Sequence, residues 1–149
     1  MAHFTDLSVW WTRGAIAVGW LERGHSYSKG DVPLEFFERL CELLIDPWTF
    51  IAQAGMHDCH FCRFSGGGVA RFKNFQISGR GNGFLFVPHE TTIYASPASI
   101  AHYIDSHEYR PPDQFIEAVM QCPKMRSIEY MRALLRTPAK DWIERGGPS

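Results

Sequence analysis

Two short stretches hold the residue types and spacings that could do chemistry. Gly55-Met-His-Asp-Cys59-His-Phe-Cys62 offers two thiols with two residues between them, and His102-Tyr-Ile-Asp-Ser-His107 offers two imidazoles with four between them. Thiolates and imidazoles are the donors of tetrahedral zinc, and a Cys-x-x-Cys turn lets two sulfurs converge on one ion. The expected metal site is one zinc held by Cys59, Cys62, His102 and His107. A turn with two cysteines, then strands, then a helix with two histidines is the order of a zinc-finger-like ββα unit with an enlarged insert. His57, His60 and Cys122 stand in reserve as ligands, with His57 expected beside the site or exposed and Cys122 expected in the core.

An ideal helix turns about 100° per residue, so a five-residue step sets two side chains about 140° apart. The helix carrying His102 and His107 is therefore expected to tighten or end near Asp105. Four protein ligands leave no coordination position for water, which makes such a site structural; a catalytic zinc needs one ligand replaced by water. Other readings of the pair fare worse. Arg63 follows Cys62, so the haem-attachment Cys-x-x-Cys-His is absent, and Ser65-Gly-Gly-Gly68 opposes the helix a thioredoxin-like pair requires. The spacing does not call for an iron–sulfur cluster.

Other chemistry is sparse. His25 lies on a glycine-flanked loop near Glu22, where an acid–base pair is conceivable, but no nucleophile or oxyanion motif accompanies it and local hydrogen bonding is the favoured reading. Gly-x-Ser-x-Gly, His-Glu-x-x-His and phosphate-loop patterns are missing, and Gly79-Arg-Gly-Asn-Gly83 reads as a hairpin turn. Residues 123–149 carry six Lys/Arg against three Asp/Glu, with Arg132 and Arg136 one turn apart. That excess allows a nucleic-acid contact, although a solvated helix surface explains it as well.

The elements that must position these residues follow from periodicity and caps. The 149 residues, 45% apolar and 21% charged with a net charge of −1, suit a single domain with its own core. The near-neutral balance gives no global attraction to nucleic acid or anionic membrane. No apolar run approaches the ~20 residues of a membrane span, and no signal peptide is visible, so a cytoplasmic location is the expectation. Val9-Trp10-Trp11 suggests a short strand or loop, and residues 15–21 a strand in which Gly19 marks a bulge or close approach. A helix over residues 32–46 has Asp31 as its cap and Pro33 in its first turn, with Leu34, Phe37, Leu40, Cys41, Leu44 and Ile45 inward and Glu35 paired with Arg39. Cys41 belongs to that inward stripe as an inert thiol. Residues 69–78, 84–87 and 92–95 read as three strands of an antiparallel meander. Ser96-Pro97 then starts a helix running to His107, another spans 113–121, and an amphipathic helix covers roughly 124–136. Trp10, Trp11, Trp20 and Trp48 are expected in the core rather than as a base-stacking platform.

Val18-Gly-Trp-Leu-Glu-Arg-Gly-His25, the cysteine segment, Ile93-Tyr-Ala-Ser-Pro97 and His102-Tyr-Ile-Asp-Ser-His-Glu-Tyr-Arg-Pro-Pro112, with Phe115 and Cys122-Pro123, resemble an uncharacterised family of bacterial domains. The likeness covers roughly residues 5–123, brings no activity with it, and implies that the cysteine pair and the histidine segment belong to one unit. The expected fold is α+β: a small antiparallel sheet flanked by three or four helices, zinc-stapled over residues 1–138, with 139–149 as a tail. The expected function is a non-enzymatic, zinc-stabilised binding module acting through a protein partner, with no membrane role. A zinc hydrolase with three protein ligands, water and His25, His57 or His60 as acid–base group is the alternative, and nucleic-acid binding by the last basic helix is a weaker third.

Overall fold

Large and small side chains are segregated across the central sheet, and this sets its two faces. The computed structural model describes residues 3–10, 14–48, 69–72, 75–78 and 84–146, by backbone alone for 69–72, 75–78 and 145–146. Strands β1 (Val9–Trp10), β2 (Ala15–Ala17), β5 (Phe84–His89) and β6 (Thr92–Pro97) form a sheet in the order β1-β2-β6-β5. The pairings Trp10↔Ala15, Ala17↔Ala95 and Ala95↔Phe86 put two bulky rings and three alanines on one face. The alanines leave room for Trp10 and Trp20, both fully buried, to pack against Phe84 with ring centroids 5.4 and 5.8 Å away. Trp20 satisfies its indole N–H on the Ala95 carbonyl at 2.9 Å, as a buried tryptophan must. Tyr94, on the opposite face, meets Phe115 at 5.8 Å, and Phe115 in turn meets Phe36.

Five helices cover this sheet among the described residues: α1 (Leu34–Ile45), α2 (Ile100–His107), α3 (Asp113–Gln121), α4 (Ile128–Leu134) and α5 (Ala139–Gly146). The α+β class stands, with two corrections to the sheet. β2 runs parallel to β6, so the sheet is mixed rather than antiparallel. The stretch 69–78 is two strands, β3 (Val69–Phe72) and β4 (Phe75–Ser78), paired Phe72↔Phe75 as a separate hairpin. Only two residues separate them, the length that closes a tight hairpin. The segment expected as a tail carries α5, whose Trp142 packs on Phe86 at 5.5 Å.

Helix boundaries follow local chemistry except where tertiary pairing competes. α3 has the expected limits, with Pro112 before it and Cys122 at its C-cap. α1 ends at Asp46 as expected, but Pro33 occupies its N-cap position without a side-chain bond, so Asp31 does not cap it. Its buried face is Phe36, Leu40, Cys41, Leu43 and Leu44, while Leu34 and Ile45 point to solvent. The face is rotated because Phe36 turns toward Phe115 on α3. Arg39 pairs with Glu42 at 3.6 Å rather than with Glu35, and also donates to the Cys122 carbonyl. Ser96 and Pro97 end β6 opposite Leu85 and Phe84, which delays α2 to Ile100. α4 starts at Ile128, where Ser127 Oγ accepts the Tyr130 N–H at 3.1 Å.

Trp48 is half-buried, and Trp11 lies outside the described residues. Gly19 fulfils the close-approach reading. Its φ is +83°, and a Cβ there would meet Ile100 Cδ1 at 2.8 Å, whereas Gly24, at φ +92°, has nothing within 4 Å. Gly19→Ala is expected to lose about 2–4 kcal/mol from combined backbone strain and steric clash, against about 1 kcal/mol for Gly24→Ala. Urea unfolding of both variants checks this, and equal losses would rule out the clash with Ile100.

Candidate metal centre on helix α2

The residues that end α2 also place its histidines. His102 is buried on the first turns beside fully buried Tyr103, and His107 is the last helical residue. Glu108 takes a left-handed conformation (φ 59°) and donates its N–H to the Tyr103 carbonyl, which also accepts the Tyr109 N–H at 3.2 Å. Both bonds converge on one carbonyl around a left-handed residue, a conformation that helix ends usually give to glycine. The helix is thus not cut at Asp105 but continues two residues further.

Four contacts hold the exit. The Tyr27 hydroxyl donates to the His107 carbonyl at 3.0 Å, Gly30 N–H to Glu108 O at 3.0 Å and Arg110 N–H to Ser28 O at 2.9 Å. The buried Tyr109 hydroxyl donates to Asp6 Oδ2 at 2.7 Å, and Asp6 Oδ1 accepts the Gly19 N–H at 2.9 Å. Burial, then the Asp6 charge, pushes the Tyr109 hydroxyl far up, so it remains a donor.

Within that frame the two imidazoles converge. His102 Nε2 and His107 Nε2 are 3.2 Å apart, with ring planes at 79° and centroids 4.9 Å apart. Helical side chains lean toward the N-terminus, so His107 at the end of the helix can fold back over the turn bearing His102. Two facing imidazole nitrogens have two stable arrangements: one carries a proton and donates it to the other, or both present lone pairs to a shared electrophile. Burial, and then the His102 charge, lowers the His107 pKa from the ordinary 6.5.

Cys59, Cys62, His57 and His60 lie outside the described residues. Among the described residues, no group of three or more His, Cys, Asp and Glu is placed to hold a metal ion. β3, which begins seven residues after Cys62, packs its backbone against α2. Cys122 is buried at the end of α3, in agreement with its core reading, and Cys41 is buried on α1.

His25 sits in a cleft of about 370 Å³ with His3, Asp6 and Tyr27. Its ring stacks on His3 at 4.0 Å and 12°, and its Nε2 is 3.8 Å from Glu22, too far for a hydrogen bond. His3 Nδ1 lies 2.9 Å from the Trp20 carbonyl, so that nitrogen carries the proton. Sequence reasoning missed His3, Tyr27 and Asp6, because each acts on a group far along the chain and none sits in a recognisable motif.

A family described as a domain of unknown function, DUF7919, matches residues 2–120. The chain belongs to that family. The match spans the sheet and α1 to α3 and stops before α4 and α5. No curated protein and no solved structure matches the chain. No helix among the described residues is long and apolar enough to cross a membrane.

Burial pushes both the Cys41 and the Cys122 thiols up to about 12 from 9.0; Asp105 adds to the rise at Cys41, and Arg39 opposes it at Cys122. The unfolded chain loses these protons from about pH 9 while the folded chain keeps them to about 12. Stability is therefore present below pH 9 and falls as pH rises through that window, by at most about 1.4 kcal/mol per unit per thiol. Urea titrations at pH 8 and pH 10 on wild type and on Cys41→Ala should show a shallower loss in the variant. Native alkylation at pH 8 should leave Cys41 and Cys122 unlabelled by peptide mass mapping.

Proposed function

We propose that this chain is a non-enzymatic, zinc-stabilised interaction module. One zinc is held by Cys59, Cys62, His102 and His107, and the folded surface is presented to a protein partner. The observation that carries the metal half is the 3.2 Å separation of the two Nε2 atoms. Two nitrogens on a tetrahedral zinc, each at about 2.0–2.1 Å, lie about 3.3 Å apart. His102 and His107 therefore already span one edge of the required tetrahedron, on a helix whose exit is pinned by four hydrogen bonds.

The chain length permits the other edge. Seven residues from Cys62 to Val69 reach up to about 23 Å, and β3 lies against the helix that bears the histidines. Thiolates and neutral imidazoles fit zinc chemically, since each is a borderline or soft donor. Bound there, zinc would supply cross-linking between the cysteine segment and α2. Full coordination by protein leaves no position for an activated water, which favours a binding module over a hydrolase.

Protein purified without added metal is expected to carry one zinc per chain. Cys59→Ser, Cys62→Ser and His107→Ala should each drop it well below one and lower the Tm, while Cys122→Ala should retain it. X-ray absorption should give two sulfur and two nitrogen neighbours. Three protein ligands plus oxygen would sink the structural assignment in favour of a hydrolytic one. Metal-free wild type would remove the zinc altogether.

A further inference from the structure

The cleft that holds His25 is rich in hydrogen-bond acceptors and poor in cations. Its volume, about 370 Å³, falls within the range of small-ligand sites. Asp6 lines it, and each carboxylate oxygen already accepts one bond, from the Gly19 N–H and from the Tyr109 hydroxyl. A carboxylate offers about four acceptor positions, so Asp6 keeps capacity for a further donor. His3 Nδ1 donates to the Trp20 carbonyl at 2.9 Å, which leaves the Nε2 lone pair of the neutral ring as a second acceptor. The hydroxyl oxygens of Ser26 and Ser28, on the same lining, add to the set.

The charges around the cleft select the sign of its ligand. Among the described residues no lysine or arginine lines it; Arg23 and Lys29, on the same stretch of chain, lie outside the lining. Glu22 adds a second carboxylate nearby, with Oε2 3.8 Å from His25 Nε2. The Tyr27 ring attracts positive charge, since Lys29 Nζ lies 5.3 Å from its centroid. An anion would meet Asp6 and Glu22. A metal ion lacks donors, because His3 and His25 stack in parallel at 4.0 Å and 12°, and no group of three His, Cys, Asp or Glu among the described residues could hold one.

We propose that this cleft binds a ligand through a primary ammonium group. An ammonium brings three donors and one positive charge, which a carboxylate, an imidazole lone pair, serine oxygens and a tyrosine ring take up together. The group comes from a free alkylamine or from a lysine side chain of a polypeptide, and the two sources are separable by experiment. Tyr27 and Asp6 also bond the exit of α2, at the His107 carbonyl and the Tyr109 hydroxyl, so the ligand binds against the segment that orients His107. The inference goes beyond the zinc reading and stands apart from it. Neither His102 nor His107 lines the cleft, and zinc content is measured separately.

The test is an NMR titration of the ¹⁵N-labelled full chain with n-butylammonium at about 0.15 M salt, where diffuse attraction is screened. The amides of Gly19, Ser26 and Tyr27 should shift and saturate in the millimolar range, as a ligand of so few atoms allows. Acetyl-lysine amide binding more tightly than n-butylammonium assigns a polypeptide lysine, and the reverse order assigns a free amine. His25→Lys places a cation in the cleft at a side chain that is 52% exposed, so the fold tolerates it while binding should weaken about tenfold or more. Gln121→Lys, exposed on α3 and outside the lining, should bind as the wild type does. Asp6→Asn should also weaken binding, and His25→Lys decides the matter where Asp6→Asn loses the fold. A wild type without saturable shifts overturns the proposal. So does equal binding of 1-butanol or butyrate, or binding that survives His25→Lys unchanged.

Discussion

The Asp6 carboxylate is the point at which remote parts of this chain are tied. One oxygen accepts the Gly19 amide and the other the Tyr109 hydroxyl. The N-terminal segment, the end of the β2 segment and the exit of α2 are thereby fixed to one group. A hydrogen bond to a charged acceptor contributes about 1.5–3 kcal/mol, more than a neutral one, and leaving its donor buried and unpaired costs comparably. Tyr109 can reach Asp6 only because Glu108 adopts the left-handed turn, a conformation that costs roughly 1 kcal/mol for a residue other than glycine. The Asp6 node and the backbone bonds from Gly30 and Arg110 offset that strain.

The same exit orients His107. Its carbonyl is held by Tyr27, its neighbour Glu108 by Gly30, and the side chain folds back toward His102. Polar geometry at the end of α2 thus rests on an aromatic core below it. Trp10, Trp20, Phe84 and Phe86 fill one face of the sheet over alanines, and Trp142 of α5 closes it. On the other face Tyr94, Phe115 and Phe36 join sheet, α3 and α1. The β5 edge is covered where the Tyr130 hydroxyl of α4 donates to the Phe86 carbonyl at 2.6 Å, which removes an acceptor that a foreign strand could use.

Net charge describes this protein poorly. The chain is close to neutral as a whole, yet exposed Glu35 and Glu42 lie on α1 and exposed Arg132 and Arg136 on and just after α4. Segregation of this kind has no effect on composition but sets what a surface attracts at short range, within the ~10 Å over which salt leaves charges unscreened.

Much of the local structure was legible in the sequence because it is decided within one helical turn. The prolines around α3 and Asp46-Pro47 after α1 are short-range steric effects; Gly19, Cys41 and Cys122 were legible by residue type alone, although the Ile100 contact and the core that bury them are tertiary. The two histidines were legible as residues of one helix, though not the left-handed exit that brings their nitrogens to 3.2 Å. Tertiary structure alone decided the rest. β5 and β6 are buried on both faces and carry no alternation from which a neighbour could be read, so the parallel pairing with β2 was invisible. The face of α1 was misjudged because eight apolar side chains surround its axis, and the choice among them fell to Phe115, about 80 residues away in the chain. Periodicity reports that a helix has an apolar side; only the partner that covers it determines which side that is.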